Sequence, residues 1–423
     1  MAFKIALGLP RWASIDMTYK EAGVLPSDGN RKLFSCKYTI RARAVSNSVV
    51  SELDEKTYIS REIRNKTVYT SLSDYVSPLL QKCNISHENI AKIPGFTYPW
   101  WLTNPAEIVF SYGDLTKNDN PLLIASKALE LISTKYKSFL RIFTDGSATD
   151  SSEVGSAFVI PDFDIKKRFH LTKGCSIFTA ELFAILMALN FCNDMVSIPS
   201  RVLILSDSKS ALMALYHQSM SSRPDIVSEI LFQIHQLIMR GCNISLLWVP
   251  GHSNLYGNEL ADLCAKEAAT KELNTTVCDI PISVSEACNI VSHAVWNDRQ
   301  KHCLEDIDSR DRWDLVISAN HHCNPPGSIP VRNLIHRLRI NAWLGRFLDP
   351  RPICFCGHLL DIPHLLFECA ATQDHFKSLH EKILSFNKPL TMSSVFNPCK
   401  VNGWTLTLAA VHLIRNHPLG RLF

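Results

Sequence analysis

Four acidic residues stand where an α/β chain collects its chemistry. Asp145 follows the apolar run from Phe139 and precedes Gly146, so it reads as a carboxylate ending a buried strand, with a glycine turn that leaves room beside it. Glu181 lies in Thr179-Ala-Glu-Leu182 in the first turn of a helix, and Asp207 ends a strand in Leu205-Ser-Asp-Ser208. Asp262 sits a turn into the helical stretch Asn258-Glu-Leu-Ala-Asp262. Singly, each has an ordinary explanation as turn former, helix-dipole partner or N-cap. Together, adjacent strand ends and helix starts bring all four to one edge of the sheet, where open α/β sheets bind ligands. Carboxylates gathered there repel and raise each other's pKa unless cations neutralise them. Hard oxygen ligands with room for water select Mg²⁺ or Mn²⁺ rather than Zn²⁺. Two such ions ~4 Å apart clamp the attacking water and the leaving oxygen of an in-line phosphodiester displacement. His252 follows Trp248-Val-Pro-Gly251 on a loop and is suited to proton transfer or product release.

The elements that must position these groups run from Phe139 to about Thr270. Alternation and apolar runs predict strands over 140–144, 155–160 and 167–173, then a helix over 179–192 with Thr179 as its N-cap. A strand over 201–206, helices over 209–216 and 225–240, a strand over 243–249 and a helix over 258–269 complete the unit. Three successive strands, then helices alternating with two more, imply an α/β fold: a mixed five-stranded sheet with flanking helices.

The remaining two thirds of the 423 residues exceed what one ordinary domain needs. With 46% hydrophobic and 20% charged residues the chain can bury a core, and a net charge of +4 permits a nucleic-acid partner without requiring one. Residues 1–138 read as mostly helical with a linker. They hold a turn at Pro26-Ser-Asp-Gly29 and basic residues Arg31, Lys32, Lys37, Arg41 and Arg43, which bind phosphate only where the charges share a face. Pro94-Gly95, Tyr98-Pro-Trp-Trp101 and Asn104-Pro105 suggest irregular structure, and Asn118-Asp-Asn-Pro121 the end of a linker before a helix over 123–135. The first ten residues carry too short an apolar run for a signal peptide, and no run approaches a membrane span, so a cytoplasmic or nuclear protein without a membrane partner is expected. Fourteen scattered cysteines fit free thiols in a reducing compartment.

Residues 271–423 read as a helical region: a linker over 275–284, helices over 285–304 and 331–344, and basic Arg337, Arg339 and Arg346. Cys354, Cys356, His364 and Cys369 offer three thiolates and an imidazole, a donor set for one structural Zn²⁺.

Thr144-Asp-Gly-Ser147, Ala180-Glu-Leu182, Ser206-Asp-Ser208 and Gly251-His…Gly257-Asn-Glu-Leu-Ala-Asp262 resemble type 1 ribonuclease H in order and spacing. The resemblance covers 139–270. It implies that Asp145, Glu181, Asp207 and Asp262 hold two Mg²⁺ or Mn²⁺ ions as catalytic carboxylates, that His252 is the auxiliary loop histidine, and that the substrate is an RNA–DNA hybrid recognised through RNA 2′-hydroxyls. Only eight residues, 217–224, separate two of the helices, so the basic protrusion of some members is absent; Lys209, Arg223 and the flanks would supply phosphate contacts. Ala6-Leu-Gly-Leu-Pro10 with Glu21-Ala-Gly-Val-Leu-Pro26, and Arg337-Leu-Arg…Cys354-Phe-Cys-Gly357…His364…Cys369, resemble the parts of non-LTR retrotransposon polyproteins that follow the polymerase and the ribonuclease H. No Tyr-x-Asp-Asp stretch occurs, so a polymerase would be a separate partner. The competing reading is a non-catalytic nucleic-acid-binding remnant of a retroelement.

Overall fold

Every residue of strand β3 (Val154–Ile160) is buried, as a strand between two covered faces must be, and its one polar side chain, Ser156, donates to the Ala180 carbonyl at 2.8 Å. This computed structural model describes residues 2–45, 72–86, 88–92, 106–112, 119–219, 221–271, 274–305, 325–340, 342–343, 348–397 and 404–423. They fall into two compact units: Phe34–Ser292, and Met1–Leu33 together with His293–Phe423.

The first unit is built on a seven-stranded sheet. Its order is β1 (Glu107–Val109), β6 (Asn243–Trp248), β5 (Arg201–Ser206), β2 (Leu140–Ala148), β3, β4 (Ile165–Leu171) and β7 (Thr275–Cys278). β2, β3 and β4 form an antiparallel meander, and the other four pairings are parallel. The five expected strands are all present. β1 and β7 extend the sheet at its two edges, and β7 occupies the stretch expected to be a linker. Ile90 and Ile282 add an isolated parallel bridge.

Helices of this unit include Leu72–Lys82, α2 (Pro121–Thr134), α3 (Ile177–Asp194), α4 (Lys209–Tyr216), α5 (Pro224–Met239) and α6 (Tyr256–Ala269), with residues from Phe34 on of α1 (Ser27–Ala44) and up to Ser292 of α7 (Val284–Glu305). Alternate side chains of β3 serve opposite layers: Phe158 and Ile160 join the large core with α3 and α5, while Ala157 and Val159 meet Ala261, Cys264 and Ala265 of α6. By length and composition α3 could cross a membrane, but 61% of it is buried, as befits a helix packed on β2, β3 and α5. Its N-cap is Ser176, whose hydroxyl accepts from Thr179 N, rather than Thr179 itself. α1 begins at Ser27, inside the stretch expected to be a turn.

The second unit has its own core, formed by α8 (Ile329–Arg339) with the helices Gln373–Ser385 and Thr405–Asn416. Here the basic run on α8 is used internally. Arg339 is buried, donating to Glu21 at 2.9 Å and to the Phe396 carbonyl; His336 meets Glu21 at 2.7 Å, and Arg337 donates to the Gly8 carbonyl at 3.0 Å. A buried ion pair is satisfied only when both charges find partners, so His336 and Arg339 hold the fold, while Arg337 is half-buried and commits its Nε to Gly8. The eleven cysteines whose side chains are described are free thiols. Expectations for 46–71, 93–105, 113–118 and Arg346 concern positions outside the described residues.

Candidate active site

β2 does not stop at Asp145 but continues through Gly146 to Ala148, paired with β3 on one side, while its first half pairs with β5 on the other. Asp145 is 5% exposed and Glu181 4%, so two carboxylates are buried together. Gly146 makes this possible. A Cβ there would lie 2.6 Å from Glu181 N and 2.8 Å from Ala180 Cβ, so only glycine lets α3 approach β2 closely enough to bring Glu181 beside Asp145. The constraint is helix packing rather than room for a phosphate. Glu181 is the fifth residue of α3, one turn later than expected.

Asp207 follows β5. Ser208 caps α4 by accepting from Ala211 N, which leaves the Asp207 carboxylate for other work. One oxygen each from Asp145, Glu181 and Asp207 lie within 4.8 Å of one another, and so do ligand atoms of His252, Glu259 and Asp262. The charge of Asp262 acts on both Asp145 and Asp207, so the second group adjoins the first. His252 is exposed, on a loop whose backbone turns left-handed at His252 and Asn254. Gly251 lets that loop pass Asp207, since a Cβ would stand 2.8 Å from its Oδ2.

The electrostatics follow from this crowding. Burial, then the charges of Asp207 and Asp262, push the Asp145 carboxyl up to about 8. Burial and the same kind of repulsion hold Glu181 well above the usual carboxylate range. Burial also raises Asp207, opposed by the hydrogen bond from Asn258 Nδ2 at 3.3 Å. Glu181 Oε2 and Glu259 Oε1 are buried acceptors without a hydrogen-bond partner. Orphaned acceptors in a nest of repelling carboxylates are the complement of a hard cation, so the donor set fits Mg²⁺ or Mn²⁺. Lys266, 2.6 Å from Asp262, offsets part of this repulsion at Asp262 and Asp145 but does not overcome it.

The matched family agrees. A family model described as RNase H matches residues 137–270, about a third of the chain. Residues 137–270 are an RNase H domain. All five residues expected from its motifs come together at the edge where β2 and β5 deliver their carboxylates.

Sequence reasoning missed several supports of the RNase H domain. Glu259 stands three residues before Asp262, a helical spacing that could have flagged it. Trp248 Nε1 donates to the Asp207 carbonyl at 3.0 Å, and the Tyr112 hydroxyl donates to the Trp248 carbonyl, so a residue before the matched segment braces the strand end that carries Asp207. Arg223 is not a phosphate contact. It is 2% exposed and paired with Asp225 at 2.6 Å and Glu286 at 3.5 Å. Glu286, from α7 beyond the match, also accepts from Thr179 Oγ1 at 2.6 Å, Ser176 N and Oγ at 2.7 Å, and Ser283 N at 2.9 Å. Burial alone would raise this carboxyl; those hydrogen bonds outweigh it and hold it below the usual range. Glu286→Ala would leave buried Arg223 with Asp225 alone and take the shared acceptor from Ser176 and Thr179 at the start of α3, and should lower stability by ~2–4 kcal/mol in chemical denaturation. Glu286→Gln, which keeps most of the hydrogen bonds, should cost less. Equal stability of the alanine variant and the parent would refute the bracing role.

In the second unit, one ligand atom each of Cys354, Cys356, His364 and Cys369 lie within 4.8 Å of one another. A tight turn closed by Gly357 N to the Cys354 carbonyl at 2.9 Å carries the first two; His364 opens a short helical turn and Cys369 ends it. The Cys354 and Cys369 sulfurs stand 3.4 Å apart, and Cys356 Sγ is 3.1 Å from His364 Nε2. The sulfur separation is too long for a disulfide at ~2.05 Å and near the ~3.8 Å edge of a tetrahedron with ~2.3 Å Zn–S bonds. Burial, together with its hydrogen bond to Cys369, raises Cys354 to about 11. Burial would raise Cys369 too, but hydrogen bonds from Cys354 and Thr372 bring it down to about 6.

Proposed function

We propose that the RNase H domain is an endoribonuclease that hydrolyses the RNA strand of RNA–DNA hybrids with two divalent ions. The observation that carries this reading is the buried triad Asp145, Glu181 and Asp207, mutually repelling and with an oxygen of Glu181 unpartnered. Asp145, Glu181, Asp207 and Asp262 would hold Mg²⁺ or Mn²⁺, which when bound supply Lewis-acid stabilisation of the attacking and leaving oxygens. The protein's own part is positional. β2 and β5 fix Asp145 and Asp207, and the close approach at Gly146 fixes Glu181. His252 on its exposed loop, beside Glu259 and Asp262, handles the proton that leaves with product. Glu259, the residue unforeseen from sequence, brings a further carboxylate within 4.8 Å of that imidazole.

The Cys354, Cys356, His364 and Cys369 cluster is read as a structural Zn²⁺ site, supported by its donor set and spacing. The chain is further read as derived from a non-LTR retrotransposon polyprotein, with a separate polymerase domain as a partner. A labelled hybrid incubated with the protein and Mg²⁺ should yield RNA fragments bearing 5′-phosphate and 3′-hydroxyl ends. Tight hybrid binding without cleavage would instead favour the non-catalytic remnant.

A further inference from the structure

The start of α5, inside the matched segment, and α1, Ala91, Lys92 and the start of α7, outside it, enclose a cleft of about 670 Å³. Three cations line it: Lys37 and Arg41 from α1, and Lys92. Lys37 and Arg41 are four residues apart on one helix and therefore share a face, the condition that the basic run of α1 had to meet. Lys92 is held in place by donating to the Arg43 carbonyl at 2.6 Å. Ser222, Ser285 and Asn289 add neutral polar groups. The N-termini of α5 and α7 both end at this cleft, adding two positive dipole ends. The one carboxylate in its wall, Asp225, is already paired with Arg223. Among the described residues neither Lys37 nor Arg41 has a carboxylate partner, so the cleft keeps an excess of positive charge.

Its position gives that charge a use. Ser283 and Ser285 of the wall immediately precede Glu286, which accepts from Ser176 at the start of α3. Glu181 lies five residues along the same helix, ~7.5 Å at 1.5 Å per residue. A duplex with one phosphate per ~1.7 Å of its axis presents several charges over such a distance.

We propose that this cleft is a second nucleic-acid contact, in which Lys37, Arg41 and Lys92 take backbone phosphates of the hybrid beyond the scissile position. It would do the work of the basic protrusion that the RNase H domain lacks, and it rests on the ribonuclease reading above. Sequence-independent phosphate contacts set affinity and its salt dependence rather than the chemical step.

The test is hybrid binding by the full chain in chelator, where no cleavage occurs. Dissociation constants are compared across salt for the parent, Lys37→Gln/Arg41→Gln, and Lys127→Gln as a control, since Lys127 is exposed and already paired with Glu130. Each phosphate contact contributes ~0.9 to the slope of log K on log salt, so the double variant should lose almost two from its slope. Its affinity near 0.1 M salt should fall roughly tenfold or more, with the control unchanged. Both replaced side chains are at least partly exposed on α1, so folding should survive, which a thermal melt verifies. An unchanged slope in the double variant, or an equal loss in the control, overturns the proposal. So does unchanged hybrid affinity alongside polyglutamate binding by the parent alone, which would assign the cleft to an acidic protein. A parent that binds with the steep slope but does not cleave sinks the ribonuclease reading and leaves the phosphate cleft standing.

Discussion

Asp145→Asn is expected to abolish hybrid cleavage, by ~10²–10³-fold or more, and at the same time to raise the melting temperature of the metal-free protein. The loss follows from removing the central carboxylate, which no neighbour can replace. The gain follows from linkage. Burial, with Asp207 and Asp262 nearby, lifts the folded-state carboxyl to about 8, far above the ~3.9 of an unfolded aspartate. The folded state therefore holds this proton more tightly than the unfolded chain does. The stability so contributed is fully present below pH ~4 and is lost as pH rises through about 8. At ~1.4 kcal/mol per pH unit, even half of that displacement amounts to ~3 kcal/mol. Asparagine carries no charge at any pH, so its advantage should be largest at pH 8 and vanish near pH 4. Mg²⁺ should raise the melting temperature of the parent at pH 8 and have little effect on the variant. Thermal melts at the two pH values, with and without Mg²⁺, measure all of this. A variant that melts lower than the parent at pH 8 in chelator would show that the carboxylates are not repelling one another, and the metal-site reading would fall with it.

The candidate metal-binding carboxylates are legible from sequence for a local reason. Each carboxylate stands beside a change of periodicity, where a strand gives way to a turn or a helix begins, and those changes are local signals. The five main strands were legible for the same reason. β1 and β7, three and four residues long, carry too few alternations to register; their partners β6 and β4 lie far off in the chain. Glu286 was illegible for a related reason, since its hydroxyl partners are more than a hundred residues away. Arg223 shows the opposite failure. An arginine next to a proline in a polar loop reads as exposed, and only the fold shows it committed to Asp225 and Glu286. Gly146 shows a third case: a turn glycine and a strand glycine crossed by a helix look alike in sequence until the helix is placed.

Removal of metal from the second unit should have the other large effect. The Cys354, Cys356, His364 and Cys369 cluster joins the turn that follows α8 to the helix Gln373–Ser385, and Cys354 and Cys369 belong to the core of that unit. Without a cation, two buried sulfurs 3.4 Å apart share protons at a cost, one thiol pushed up and its neighbour pulled down. A bound Zn²⁺ would replace that compromise with four coordinate bonds, and structural zinc contributes ~10 kcal/mol or more of apparent folding free energy in small domains. The double variant Cys354→Ser/Cys369→Ser should therefore lose one equivalent of zinc by elemental analysis, and one melting transition should fall by well over ~10 °C. Cleavage by the RNase H domain should persist below that transition, because its carboxylates and their supports all lie in Phe34–Ser292. Zinc content equal to the parent's would remove the cluster as the metal site. Lost zinc with no shift of either transition would make the metal incidental to folding.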